Sequence, residues 1–153
     1  MILKILPPLW LLFFLIVALI AHLLIPATRV FDISFPILSG IVGGIATLIA
    51  LYLVLRASNL FAKEKTEILP TSPANRVLIT YGPYRFTRNP MYLGMVLMLL
   101  GIAIYLGTLP MFLAAAAQFS VLNFFFIPFE EAKMARQFGE TYEAYKHKVR
   151  RWL

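Results

Sequence analysis

Four stretches of this chain are apolar and free of charged residues, and the polar residues gather between and after them. The first runs from Pro8 to Ile25 and the second from Phe35 to Leu55, with Arg56 behind it. The third runs from Met91 to Gly107 and the fourth from Pro110 to Phe129. At about 1.5 Å per residue the first reaches roughly 27 Å, close to the thickness of a bilayer's hydrocarbon core. Each run is therefore predicted to be a membrane-spanning helix. Thr108 and Leu109 alone separate the third from the fourth, which predicts a tight helical hairpin. Gly40, Gly43 and Gly44 predict a close helix contact, because small residues let membrane helices approach. The first run has a competing reading as a cleaved signal peptide after Lys4, which would leave three spans. Its length, and the lack of an A-x-A-like site closing it, argue for retention.

The pattern changes after residue 130. Ala135, Phe138, Tyr142, Tyr145, Val149 and Trp152 recur at spacings of three and four, one apolar stripe on a helix. An amphipathic helix is expected there, either along the cytoplasmic membrane face or packed on the protein's own loop, with Gly139 weakening it by about 1 kcal/mol.

Composition agrees. Apolar residues make up 61% of the 153 and charged residues only 14%, against roughly a quarter in soluble domains. With no cysteine and two histidines, disulfide frameworks and Cys- or His-rich metal centres are excluded. The net charge of +7 is explained by topology better than by nucleic acid. With both termini inside, 13 of the 14 Lys and Arg residues fall on the inner side, and only Arg29, beside Asp32 in the loop 26–34, falls outside. The expected architecture is an all-α polytopic membrane protein, one domain over 1–153. Its spans lie at about 8–25, 35–55, 91–107 and 110–129, and a cytoplasmic region is made from 56–90 and 130–153. A prokaryotic plasma membrane is the expected location.

Both polar clusters thus share one membrane face, where a water-soluble cofactor meets a lipid-dissolved substrate. The denser is Tyr81-Gly82-Pro83-Tyr84-Arg85-Phe86-Thr87-Arg88-Asn89-Pro90-Met91-Tyr92-Leu93-Gly94. Gly82-Pro83 signals a turn, and Asn89-Pro90 starts a helix with Asn89 expected as its cap. That explains the segment structurally, with Arg88 and Tyr92 as interfacial anchors. It also leaves backbone N–H groups free at a helix N-terminus, beside an arginine and two tyrosines, where a small polar ligand fits. The second cluster is Glu130-Glu131, which either favours the helix dipole or holds an ammonium group.

Together, in this order, the clusters resemble the isoprenylcysteine carboxyl methyltransferase and phospholipid methyltransferase superfamily of integral membrane enzymes. The residues that carry the resemblance are Gly82-Pro83-Tyr84, Arg88-Asn89-Pro90-Met91-Tyr92-Leu93-Gly94, Glu130-Glu131, Phe138-Gly139 with Tyr142 and Tyr145, and Val149-Arg150-Arg151-Trp152. It covers roughly residues 60–152. The resemblance implies S-adenosylmethionine as cofactor, bound by Arg76, Val77, Leu78 and Ile79, by Tyr84, by Asn89, Pro90, Met91 and Tyr92, and by Glu130. An aromatic face stabilises the sulfonium, Glu130 receives the ammonium, and adenine rests on Leu78 and Ile79. Arg88 is the first candidate for placing the nucleophile, with Lys148 and Arg150 behind it. Phe126 stands where the family's carboxyl methyltransferases place an arginine, which tilts the expectation toward a lipid-like acceptor. Asn89 stands where histidine is common. The competing functions are an NADPH-dependent membrane reductase of the sterol reductase type and a non-catalytic membrane scaffold. The sequence names neither the acceptor, nor the methylated atom, nor the oligomeric state.

Overall fold

The computed structural model describes residues 3, 5–25, 30, 36–66 and 76–153. Lys4, Arg29, Asp32 and most of the loop 26–34 lie outside these, as do residues 67–75 of the loop after the second span. The described residues are helical, with no strand among them. The helices are α1 (Pro7–Leu24), α2 (Pro36–Lys63), α3 (Pro90–Leu106), α4 (Leu109–Val121) and α5 (Ile127–Lys148).

The first three predicted runs map onto α1, α2 and α3, and the fourth runs from α4 into the first residues of α5, with one clear correction in the second. Arg56 does not end the second helix, which continues about two turns to Lys63. A charge ends an apolar run without ending a helix, and Arg56 sits where α2 can leave the hydrocarbon. Ala57 and Leu60 on this extension are buried against Ile79 and Tyr84. Among the described residues, three helical stretches are long and apolar enough to cross a membrane: Pro7–Leu24, Pro36–Lys63 and Leu109–Lys148. Pro90–Leu106, α3, is apolar but shorter.

α3 is the centre of the bundle. It packs most extensively on α2 and also on α4, and α1 lies mainly against α4. The α2–α3 contact is backbone to backbone. A Cβ on Gly43 would stand 2.5 Å from the Gly101 carbonyl, and one on Gly101 would stand 2.5 Å from Thr47 Oγ1. One on Gly94 would stand 2.8 Å from the Ala50 carbonyl. Of the three glycines expected at a close contact only Gly43 is crowded in this way, and Gly44 faces open space. The hairpin is as tight as predicted: Gly107, at φ 65°, caps α3 and Thr108 precedes α4. The outward faces of α1 and α2 are lined with exposed Leu, Ile and Val. That is the surface a hydrocarbon solvent requires. Ala18, Ala21, Ala114 and Ala117 border an apolar groove of about 460 Å³ between α1 and α4.

α4 does not stop at Val121. Residues Leu122–Phe126 form a π-helical turn, in which the Ile127 N–H donates to the Leu122 carbonyl, and α5 continues from it. Gly139 then breaks α5 at φ 50°, ψ −127°, a backbone conformation open to glycine. Beyond that kink, the predicted apolar stripe packs on the protein itself. Tyr142, Tyr145 and Val149 are buried with Leu78, Ala135 and Phe138. The predicted packing on the protein's own loop is observed, through Leu78.

Candidate active site

The start of α3 is preceded by a single 3-10 turn, Gly82–Arg85. Gly82 at φ 64° lets the chain reverse, and Pro83 and Tyr84 are buried beneath it. Tyr84 packs with Ile79, Ala57 and Leu60, with Phe61 and Met91 against them. The Phe61 and Tyr84 rings meet edge to face at 6.0 Å. The Tyr84 carbonyl accepts a hydrogen bond from the Tyr145 hydroxyl at 2.7 Å, so the turn is also tied to α5.

Asn89 and Pro90 begin α3 as predicted, with Pro at the first helical position. Asn89 does not cap it with its side chain, however. Its amide donates instead to the Arg151 carbonyl at 2.9 Å, while Thr87 Oγ1 donates to the same oxygen at 3.1 Å. This corrects the capping expectation: a partner more than sixty residues away outcompetes the local one. The first turn of α3 therefore lacks a side-chain cap, and its leading N–H groups have no intrahelical acceptor.

Tyr92, in the first turn of α3, is buried and donates its hydroxyl to Glu130 Oε1. Its ring lies 6.5 Å from Phe126. The π turn just before α5 matters here. It takes in one residue more than an α turn, so every later residue sits about 100° from where an unbroken α-helix would place it, which decides the faces that the acid pair presents. Glu130 meets Tyr92, and Glu131 meets two arginines. Arg88 approaches Glu131 at 2.8 Å and Arg151 at 2.6 Å. Arg88 keeps one buried donor, Nε, without a partner.

The electrostatics follow from this crowding. Burial, then the nearby Glu130 carboxylate and Tyr145, hold the Tyr84 phenol well above its ordinary range. Burial pushes Tyr142 up to about 12, reinforced by Glu131 and opposed by Arg88. Burial and Tyr142 raise Tyr145, again against Arg88. All three rings are neutral at physiological pH.

The structure thus brings most of the nominated residues together. Ile79, Tyr84 and Met91 share one apolar cluster, and Tyr92 and Glu130 share a hydrogen bond. Asn89 and Pro90 lie between them in the chain. Leu78 packs toward the Tyr142 and Tyr145 side. Arg76 and Val77 are exposed, their backbone N–H groups donating to Thr66 Oγ1 at 2.8 and 3.4 Å. Sequence reasoning gave no site role to Thr87, Asn123 or Arg151, and read Glu131 for an ammonium group or the helix dipole where it holds two arginines in place. The signal for them was present, since an acid pair and a terminal Arg-Arg-Trp bracket one helix, but pairing across that distance is a tertiary fact.

A family model described as phospholipid methyltransferase matches residues 38–141, more than half of the chain. The chain belongs to the phospholipid methyltransferase family. The match begins in α2 and ends just past the Gly139 kink, so it includes the turn, α3, the hairpin and the acid pair. This family lies within the isoprenylcysteine and phospholipid methyltransferase superfamily of membrane enzymes, as the motifs implied. Membership makes the protein a membrane methyltransferase of a family acting on lipid, and the apolar helices agree. A protein of Haemophilus influenzae described as "Uncharacterized protein" is 41% identical over 63 residues, which is 41% of this chain and 100% of that protein. No solved structure matches the chain.

Proposed function

We propose that this protein is an S-adenosylmethionine-dependent methyltransferase that works at the cytoplasmic membrane face on a lipid-like acceptor. The observation that carries the reading is the Glu130 carboxylate, set between the start of α3 and α5 and flanked by Tyr92 and Tyr84. The donor set suits such a cofactor in three respects. A carboxylate takes an ammonium group, neutral aromatic rings favour a sulfonium, and the apolar Ile79 and Met91 beside Tyr84 suit an adenine. The uncapped start of α3 suits a carboxylate.

When bound, S-adenosylmethionine supplies an electrophilic methyl group on a positively charged sulfur. The chain's part is then alignment and exclusion of water, with little proton chemistry. Tyr84 and Tyr92 supply ring faces to a cation, and the Tyr84 phenol stays protonated beside it. Glu130 fixes one end of the ligand. Arg88 is held by Glu131 and keeps a buried Nε donor unpaired, which suits it to orienting an acceptor. Phe126 is fully buried against Tyr92 and offers no charge for a carboxylate substrate, which supports an uncharged or lipid-like acceptor.

The direct test is calorimetric titration of detergent-purified protein with S-adenosylhomocysteine, beside Tyr92→Ala and Glu130→Ala, with NADPH in parallel. Binding of the nucleoside by the native protein and its loss in both variants is the expected result. A folded protein that ignores the nucleoside and binds NADPH would make it a reductase. One that binds neither would make it a scaffold.

A further inference from the structure

The segment after α5 is bonded in two directions. Its backbone serves the start of α3: the Arg150 carbonyl accepts the Arg88 N–H at 2.9 Å, and the Arg151 carbonyl accepts Thr87 and Asn89. Its side chains serve the other side of the bundle. Arg151 Nη2 and Nε donate to the two oxygens of Glu131 at 2.6 and 3.1 Å. The Trp152 indole N–H donates to Asn123 Oδ1, inside the π turn, at 3.0 Å. The Trp152 ring lies 4.9 Å from Phe119. One short non-helical segment therefore spans from the α3 start to the α4–α5 junction.

This bridge is built from shielded polar groups. Thr87 and Asn89 are buried, and Glu131 holds Arg88 and Arg151 at once. Breaking the links of Thr87, Asn89 or Glu131 strands a buried donor or a charge, so these links reinforce one another. The bridge also ends beside the ligand-facing residues. Asn89 stands three positions before Tyr92, and Glu131 directly follows Glu130.

We propose that Arg150–Trp152 is a positioning strap. By clamping Arg88 and Asn89 to Glu131, it sets the separation between the start of α3 and Glu130, and hence the space that receives the amino-acid end of the nucleoside cofactor. The proposal rests on the methyltransferase reading above. Arg151 and Asn123 are positioning residues in it and touch no ligand.

Two probes separate positioning from general support. S-adenosylhomocysteine carries the amino-acid end, and 5′-methylthioadenosine lacks it. Both are titrated calorimetrically into the full chain in detergent, into Arg151→Ala and into Arg151→Lys. Arg151→Ala is expected to weaken S-adenosylhomocysteine by about tenfold or more, the scale of one charge-assisted hydrogen bond, and to leave methylthioadenosine unchanged. Arg151→Lys restores part of the loss. Trp152→Phe keeps the ring on Phe119 and removes only the donor to Asn123. It gives the same selective pattern at smaller amplitude, should Arg151→Ala not fold. Equal weakening of both ligands, or no weakening of either, overturns the strap. A native protein that binds neither ligand overturns the cofactor reading itself, a result distinct from failure of the strap alone.

Discussion

Tyr142 and Tyr145 are three residues apart on α5 and close to Arg88, and Tyr84 receives the Tyr145 hydroxyl on its carbonyl. Raised phenol pKa values mean that folding favours the protonated form. The stability they contribute is complete below the unfolded value of 10.0 and is lost as pH rises through the folded value, about 12 for Tyr142. Tyrosinate absorbance therefore distinguishes them from solvated phenols: at pH 10.5 the folded Tyr142→Phe variant is expected to match the native signal, and a drop of one tyrosine's worth would show that Tyr142 is not shielded. Asn89 carries the lesson at this scale for sequence reading. Its position as the residue before Pro90 was legible, because capping positions have local chemistry. The destination of its side chain was not, because Arg151 competes for it from the other end of the chain.

α2 and α3 are joined by glycine contacts whose importance differs by position. A methyl on Gly43 or Gly101 collides with a backbone carbonyl or with Thr47, and backbone cannot yield cheaply. Gly43→Ala and Gly101→Ala are expected to destabilise by about 1–3 kcal/mol, as overpacking does. Gly44→Ala, whose methyl meets nothing within 4 Å, is expected to be neutral. Thermal unfolding in one detergent checks all three, and equal effects at Gly44 and Gly43 would refute the contact. The sequence showed that glycine favoured a close approach here, but not which face of α2 met α3, since the whole helix is apolar. The extension of α2 to Lys63 was hidden for a related reason: the apolar run ends at Arg56, and the helix outlasts the membrane.

Across the whole molecule, the order of spans, the hairpin and the motif region were legible because lipid imposes a long, simple pattern. The π turn and the bridging segment were not, because a one-residue phase shift and long-range polar pairs leave no periodic trace. Orientation is open to a clean experiment, since the chain has no cysteine. With both termini inside, Lys65→Cys is expected to react with an impermeant maleimide only in inverted vesicles, and Leu109→Cys only in intact cells or right-side-out vesicles. The reverse pattern would turn the protein over. The π turn at Leu122–Phe126 has a genetic consequence as well. It holds one residue more than an α turn, so losing Phe124 or Phe125, both exposed, lets it close into regular α-helix and leaves Glu130 on Tyr92 and Glu131 on Arg88. Losing both leaves no bulge to absorb the second residue and turns the acid pair away by about 100°. The turn is a one-residue reserve of length: the helix tolerates a first deletion there and a second one behaves as a frameshift in three dimensions.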